Sequence, residues 1–184
     1  MIPTMIVVAG PPGSGKSTLY PVSSFGVSYF NADDRAAELN GGSYFSISNE
    51  IRKIVDSEFE AFVLGSIDKR TSFAIETTLR SEVTFEQARI AKQAGFVIEM
   101  RYLGLRDFAS HLERVKARAD AGGHSASETT LRRIYEASLR NLRRAVLEMD
   151  TLWVYDNSSI DASHPLVLEA RTGEICFLAD ETPS

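Results

Sequence analysis

The sequence predicts an α/β fold with a mainly parallel sheet of five strands and a C-terminal β-hairpin. Short, continuous apolar runs alternate with longer segments whose apolar residues recur at helical spacing, and Gly- or Pro-rich turns separate them. Strands buried on both faces have such runs, and strands that alternate with helices form βαβ units around a parallel sheet. The 184 residues are a usual size for one domain, so we expect a single domain over residues 1–184.

The first strand is the apolar run Met5–Ala9, which a Gly-Pro-Pro-Gly turn closes. Later apolar runs with similar punctuation predict the other strands of the sheet and the two strands of the hairpin. They are expected at Val27–Phe30, Ser72–Ile75, Phe96–Leu103, Leu152–Tyr155, Leu166–Glu169 and Glu174–Leu178. The hairpin turns over residues 171–173 and as a whole covers about residues 164–180.

Between the strands, apolar residues three and four positions apart predict amphipathic helices. The first helix is expected to begin around residues 15–17, directly after the first turn. The later helices are expected at Asp33–Leu39, Ser48–Asp68, Ser81–Ala94 and Phe108–Ala119, followed by one that ends near Met149. Ser125 and Glu128 have the spacing of a capping box, which predicts the start of this last helix.

Composition excludes several classes of protein. Lys plus Arg is 20 and Asp plus Glu is 25, so the formal net charge is −5, which argues against the broad basic field of a nucleic-acid binder. Cys176, the one cysteine, cannot form an internal disulfide, and His111, His124 and His164 with it suggest no metal cluster. The sequence shows no signal peptide and no apolar stretch of membrane-spanning length, so we expect a cytoplasmic protein without a membrane partner.

Residues 10–17 read Gly-Pro-Pro-Gly-Ser-Gly-Lys-Ser and satisfy the P-loop pattern G-x-x-x-x-G-K-[ST]. Glycines let backbone N–H groups turn toward phosphate oxygens, and the following helix offers its positive end to the same anion. Lys16 supplies a mobile charge for the β- and γ-phosphates, and the Ser17 hydroxyl is a hard ligand for Mg²⁺. The pattern predicts a three-layer P-loop NTPase fold that binds ATP and Mg²⁺; the alternative is a Gly-Pro turn with an exposed lysine. The expected nucleotide-binding residues are Gly10, Pro11, Pro12, Gly13, Ser14, Gly15, Lys16, Ser17 and Thr18.

The segment after the second predicted strand begins Asn31-Ala32-Asp33-Asp34. Ligands of parallel sheets bind beyond the carboxyl ends of the strands, so a carboxylate here faces the phosphate-binding loop. A kinase needs a base that orients the attacking hydroxyl, and Asp33 is the first candidate, with Asp34 second. The alternative is that both carboxylates only cap the following helix.

The third predicted strand ends in Glu76-Thr77-Thr78-Leu79-Arg80. Glu76 is a second carboxylate at the same edge, near the expected position of Mg²⁺ or of a substrate hydroxyl. Thr78 and Arg80 could hold polar parts of a substrate. The alternative is helix capping by Thr77, Thr78 or Ser81, with Arg80 in solvent.

The stretch from Arg114 to Arg133 is basic at both ends and has Gly122-Gly123 between them. Two helices joined by a glycine hinge predict a lid over about residues 106–135, whose arginines stabilise charge on the transferring phosphoryl group. The alternative is two solvated helix faces. Asn157, after the last core strand, could border the adenine, or it could belong to a plain turn.

Several segments together resemble the zeta toxin family of P-loop kinases. They are Gly10–Thr18, Asn31–Asp33, Glu76–Arg80, the basic stretch that contains Arg114, Arg118, Arg132, Arg133 and Tyr135, and Tyr155–Ser158. The resemblance covers roughly residues 5–160. A P-loop alone fits many families, whereas this ordered combination is far more specific.

The resemblance implies an ATP-dependent phosphotransferase with an adenylate-kinase-like core. The characterised toxins of the family are UDP-N-acetylglucosamine kinases that phosphorylate the 3′-hydroxyl of the sugar. By matching position, the resemblance implies Asp33 as the base, Lys16 and Ser17 at the phosphates and Mg²⁺, Asn31, Glu76, Thr78 and Arg80 in the substrate pocket, and Arg118 with Arg132 or Arg133 as lid arginines. The chain is shorter than those toxins and lacks their N-terminal helical extension, so the acceptor, a toxin role and an antitoxin partner stay open.

The main hypothesis is therefore a kinase that moves the γ-phosphate of ATP to a hydroxyl of a small molecule. Within this class the acceptor could instead be a nucleotide, an antibiotic or a polynucleotide end. An alternative from another class is a nucleotide-dependent switch without an acceptor. The carboxylates Asp33 and Glu76 argue against the switch, because a switch needs no second pocket.

Overall fold

A computed structural model of the chain describes residues 2–120, 126–158 and 164–180. A seven-stranded sheet runs through the middle of the described part. Its strands are β1 (Thr4–Ala9), β2 (Ser28–Phe30), β3 (Phe73–Thr77), β4 (Val97–Gly104), β5 (Thr151–Asp156), β6 (Leu166–Arg171) and β7 (Glu174–Leu178). The helices are α1 (Lys16–Leu19), α2 (Ala32–Leu39), α3 (Asn49–Asp68), α4 (Val83–Gln93), α5 (Phe108–Asp120) and α6 (Glu128–Glu148), and a short 3₁₀ segment covers Val22–Phe25.

The strands lie in the spatial order β2-β3-β1-β4-β5-β6-β7. The pairs among β1 to β5 are parallel, as expected from the alternation of strands with helices. The C-terminal hairpin forms as expected, but it is not separate from the sheet. Its first strand, β6, pairs antiparallel with β5 and so extends the five parallel strands to a mixed sheet of seven.

The two faces of the sheet are covered unequally. Side chains of α3, α4 and α6 pack on one face and form the main core with alternate residues of the central strands. On the other face, a smaller cluster forms around Val8, Val22 and Leu103, with Leu19 and Phe25 packed against it. The layer that covers this second face is thinner than the layer on the first face, because α1 has only four residues. Pro21 explains the early end of α1, since the residue before a proline disfavours the helical conformation.

Two helix starts differ from expectation. The N-cap of α6 is Ser127, whose side chain accepts from the Thr130 N–H, so Glu128 is the first helical residue and not the third. The predicted capping box is therefore wrong in register, and Ser125 lies outside the described residues. The N-cap of α2 is Asn31, whose Oδ1 accepts from the N–H groups of Asp33 and Asp34, so neither carboxylate serves as the cap.

No helix in the described ranges combines the length and apolar character that crossing a membrane requires.

Candidate active site

The carboxyl ends of the parallel strands bring four chain segments to one edge of the sheet. In the register of the sheet, Glu76 of β3 lies beside Val8 of β1, and Ile75 lies beside Phe30 of β2. The residues that follow β1, β2 and β3 are therefore neighbours, although they are far apart in sequence. The loop after β5 adds Asn157, whose N–H donates to the Gly104 carbonyl at the end of β4.

The P-loop after β1 turns on glycines at positive φ. Gly10, Gly13 and Gly15 have φ of 144°, 81° and 91°. A Cβ atom on Gly10 would lie 2.2 Å from the Leu103 carbonyl oxygen, and one on Gly15 would lie 2.2 Å from Asn157 Nδ2. Side chains larger than hydrogen do not fit at these two positions, which explains the glycines of the motif.

Lys16 is buried inside the P-loop. Its Nζ donates to the carbonyl oxygens of Gly10 at 2.9 Å and Pro11 at 3.3 Å, and it lies 3.9 Å from Glu76 Oε1. Burial lowers the pKa of Lys16, while the carboxylates of Glu76 and Asp33 act in the opposite direction. The hydrogen bonds of the ammonium group are thus to two neutral carbonyl oxygens, which a phosphate can replace, and the Glu76 carboxylate lies further away.

Glu76 lies at the centre of the polar contacts of this edge. Its Oε2 accepts from the Ser17 hydroxyl at 3.1 Å and from Asn31 Nδ2 at 3.4 Å. Burial raises the pKa of Glu76, and the charge of Lys16 opposes that shift. A hydroxyl and a carboxylate oxygen side by side are the hard ligands that Mg²⁺ prefers, so the residues present fit this ion together with the phosphates of a nucleotide.

Asp33 and Asp34 lie in the first turn of α2, and both are exposed. Asp33 is close enough to Lys16 and Glu76 for its charge to affect the pKa of each. Asp34 accepts a hydrogen bond from the Tyr44 hydroxyl at 2.9 Å. Asp34 is thus hydrogen-bonded to Tyr44, while the charge of Asp33 acts on the pKa of Lys16; the charges of both carboxylates act on the pKa of Glu76.

Contacts of Leu79 fix the conformation of the loop after β3, which also carries Thr78 and Arg80. Leu79 between them has φ of 56° and a fully buried side chain. Its N–H donates to Thr77 Oγ1 at 3.1 Å, and its carbonyl accepts from Asn141 Nδ2 of α6 at 2.9 Å. A left-handed leucine costs roughly 1 kcal/mol or more, so these contacts are needed to hold the turn.

Capping does not explain the polar residues of this loop. The N-cap of α4 is Glu82, which makes no side-chain capping bond, so Thr77, Thr78 and Ser81 do not cap that helix. Arg80 is exposed, and the structure shows no hydrogen bond or ion pair of it with the described residues. Thr78 and Arg80 therefore lie at this edge of the sheet without a hydrogen bond or ion pair, in the part of the chain that the structure describes, that would account for them.

The basic residues of the expected lid fall into separate groups. Arg114 is anchored, because its Nη2 donates to the Asn157 carbonyl at 2.8 Å. Arg132 lies over the Phe108 ring, 4.2 Å from its centre, and 3.4 Å from Glu128 Oε1. Arg118 is exposed, and its charge acts on the pKa of both Lys16 and Tyr44, so it is near this edge of the sheet; its role as a lid arginine stays a prediction.

The two positions left open for the second lid arginine stay open. Arg133 is exposed and has no hydrogen bond or ion pair with the part of the chain that the structure describes. Arg132, in contrast, is engaged with α5 and with its own helix. The predicted hinge at Gly122-Gly123 lies outside the described residues.

Two side chains support the P-loop from behind. Asn157 is buried, and its Nδ2 donates to the Ser14 carbonyl at 2.8 Å, so its amide is engaged with the loop itself. His111 is buried in the first turns of α5, where Nδ1 lies 3.0 Å from the Pro12 carbonyl and Nε2 3.2 Å from the Leu105 N–H. The role of His111 was not anticipated from the sequence, because nothing in its local pattern indicates a contact across 99 positions.

Comparison of the chain with known proteins gives distant similarities. No protein-family model matches it. A protein of Haemophilus influenzae, described as uncharacterized, is 27% identical over 134 residues, which cover 71% of this chain and 91% of that protein.

Among solved structures, a chain from the PezAT toxin–antitoxin system of Streptococcus pneumoniae has a TM-score of 0.66 and 18% identity, covering 91% of this chain and 72% of the other. A chain of the AvrRxo1-ORF1:-ORF2 structure with ATP has a TM-score of 0.68 and 14% identity. That likeness covers 95% of this chain, which spans only 60% of the other. Shikimate kinase from Acinetobacter baumannii has a TM-score of 0.50 and 17% identity over 89% of this chain. The predicted α/β fold of the P-loop kinases, which the zeta toxin resemblance also implies, is confirmed.

Proposed function

We propose that this protein is an ATP-dependent kinase that transfers the γ-phosphate to a hydroxyl of a small molecule. The observation that carries the proposal is the meeting of Lys16 and Ser17 with Glu76 and Asp33 at one edge of the sheet. The first two are the groups that hold a triphosphate and its metal ion. The two carboxylates form a polar wall beside them, where an acceptor hydroxyl would lie.

Each residue has a role that follows from its place. Lys16 would leave the carbonyls of Gly10 and Pro11 and bind the β- and γ-phosphates. Ser17 and Glu76 would hold Mg²⁺, each directly or through a bound water molecule. The ion would offset negative charge on the phosphoryl group that is transferred. Asp33 would accept the proton of the attacking hydroxyl, and Arg118 would approach the phosphoryl group from the lid.

The acceptor is the finer part of the proposal. The match at Glu76, Thr78 and Arg80 supports a nucleotide-linked sugar such as UDP-N-acetylglucosamine, because Arg80 offers a guanidinium without an ion-pair partner among the described residues. A guanidinium suits a diphosphate, which it can bind through two parallel hydrogen bonds.

The exposed free thiol of Cys176 fits a reducing compartment supplied with ATP, which is the cytoplasm.

A screen of ADP formation tests both levels of the proposal. The wild-type protein, with ATP and Mg²⁺, would be incubated with nucleotide sugars, simple sugar acids, nucleosides and 5′-hydroxyl oligonucleotides. We expect one class to raise turnover above the background ATPase rate and a Lys16→Ala variant to lose ATP binding and turnover. Stimulation only by another class contradicts the nucleotide sugar, and no stimulation by any acceptor favours a nucleotide-dependent switch.

A further inference from the structure

The P-loop of this chain has few N–H groups with which to bind phosphate. Pro11 and Pro12 have no N–H at all, and the Ser14 N–H donates to the Pro11 carbonyl at 3.2 Å. Between Pro12 and the start of α1, this leaves the N–H groups of Gly13 and Gly15, which donate to no acceptor in the described part of the chain. The direction of these two groups therefore affects how well the loop can hold an anion.

The direction of each N–H is set by the carbonyl before it. In a trans peptide, the C=O of one residue and the N–H of the next point in opposite directions. The Pro12 carbonyl is bound by His111, and the Ser14 carbonyl is bound by Asn157. Fixing these two oxygens on the outside of the loop turns the N–H groups of Gly13 and Gly15 to its inside.

Both supporting side chains are themselves fixed. The Leu105 N–H can only donate, so it requires His111 Nε2 as its acceptor, and the proton of the neutral ring then lies on Nδ1, facing the Pro12 carbonyl. Asn157 is held by its N–H on the Gly104 carbonyl at 2.9 Å and by Arg114 on its own carbonyl at 2.8 Å.

We propose that His111 and Asn157 are positioning residues that aim the N–H groups of Gly13 and Gly15 at the phosphates of the nucleotide. The inference rests on the proposed ATP binding and adds the residues that prepare the loop for it. His111 acts on Gly13 through the Pro12 carbonyl, and Asn157 acts on Gly15 through the Ser14 carbonyl. Each side chain acts on a different peptide group, so we expect a variant of each to change the amide signal of a different glycine.

Amide NMR of the ¹⁵N-labelled protein, titrated with AMP-PNP and Mg²⁺, tests the inference. In the wild type we expect the Gly13 and Gly15 amide signals to shift on binding. In His111→Ala only the Gly13 response is lost, and in Asn157→Ala only the Gly15 response is lost. Each variant binds the analogue about tenfold more weakly by calorimetry, the equivalent of one hydrogen bond.

Two further variants, each of which keeps one of the two hydrogen bonds of the His111 ring, test the inference if the alanine variant does not fold. Asn places an amide donor where Nδ1 lies, whereas Gln reaches the Leu105 N–H with an acceptor but leaves the Pro12 carbonyl free. His111→Asn should therefore restore part of the Gly13 response and bind nucleotide more tightly than His111→Gln. The reverse order would overturn the inference.

The remaining outcomes separate this inference from the proposed function. Loss of both glycine responses in each alanine variant, or of neither, overturns the separate roles while ATP binding stands. A wild-type protein whose two amides ignore the analogue overturns the inference together with the proposed ATP site. Normal glycine responses without any acceptor turnover overturn only the kinase.

Discussion

Two adjacent carboxylates, Asp33 and Asp34, illustrate how neighbouring residues of one helix turn acquire different uses. Asn31 caps α2 and thereby removes the capping role from both. Tyr44 donates its hydroxyl hydrogen to Asp34, which ties that carboxylate to the segment before α3. The Asp33 carboxylate has no such partner among the described residues, and its charge acts on the pKa of Lys16. At the scale of single residues, we therefore expect Asp33 to be the base, because Tyr44 already engages its neighbour Asp34.

Asp33→Asn should slow phosphoryl transfer and leave ATP affinity and the fold unchanged. Asn cannot take the proton of the acceptor hydroxyl, and general bases typically contribute about 10²–10⁴-fold. The low end of this range is expected, because the transition state of phosphoryl transfer is loose. Single-turnover rates with the acceptor found by the screen would measure the loss.

The matched control for that variant is Asp34→Asn. Its side-chain oxygen still accepts from Tyr44, so the change should cost little. A slow Asp34→Asn with a normal Asp33→Asn would move the base by one position. Normal rates in both variants would leave Glu76 as the base.

At the scale of elements, the first turns of α5 support the P-loop, and we expect only the later part of this helix to act as a lid. His111 and Arg114 tie it to the P-loop and to the loop after β5. A Cβ atom on Gly13 would lie 2.8 Å from the His111 carbonyl oxygen and 3.1 Å from Val115 Cγ2, so the loop and the helix are in direct contact. We expect the part of α5 that moves toward a nucleotide to begin after Val115, where Arg118 is exposed.

Hydrogen exchange should show this division along α5. We expect the amides of residues 111–115 to be protected with or without nucleotide, because the P-loop contact exists in both states. Exchange in residues 116–120 and in the first two turns of α6 should slow when a non-hydrolysable ATP analogue and Mg²⁺ are added. Equal exchange with and without the analogue in these segments would count against a lid.

The loop after β3 is a second element whose shape is set from a distance. Asn141→Ala leaves the Leu79 carbonyl without its α6 donor, which should cost about 1–3 kcal/mol of the free energy of unfolding. Because Thr78 and Arg80 flank Leu79, the KM for the acceptor should rise while the affinity for ATP stays the same. Chemical denaturation and steady-state kinetics would measure the two effects, and an unchanged acceptor KM would contradict the link.

The sequence predicted the fold, and it predicted which residues meet at the carboxyl edge of the sheet, because both depend on local pattern. Strand and helix positions follow from apolar spacing, and the P-loop with Asp33 and Glu76 follows from their places after strands. His111, Tyr44 and Asn141 escaped prediction for a common reason. Each acts on a partner distant in sequence or in another element, through contacts that appear only once the elements are packed.

At the scale of the whole molecule, acid should destabilise the fold through His111. Burial lowers the pKa of His111 from 6.5 to about 4, and the charges of Lys16 and Arg114 add to that shift, while the Pro12 carbonyl and Asp107 oppose it. Between these two values the unfolded chain binds a proton that the folded chain does not. The contribution of neutral His111 to the free energy of unfolding is therefore fully present above about pH 6.5. It is lost as the pH drops toward 4, by about 3 kcal/mol in total.

Other groups titrate in the same window, so the test is a difference between two proteins. The raised pKa of Glu76, caused by its burial, acts with the opposite sign, since the unfolded chain releases that proton first. The lowered pKa of Asp107, caused by its hydrogen bond to the Ser110 N–H, acts with the same sign as His111. Urea unfolding of the wild type and of His111→Gln at about pH 7 and about pH 4.5 cancels both contributions to first order. The variant should be less stable than the wild type at neutral pH and lose about 2–3 kcal/mol less on acidification. Parallel pH dependences would show that His111 takes up its proton as readily in the folded protein as in the unfolded chain.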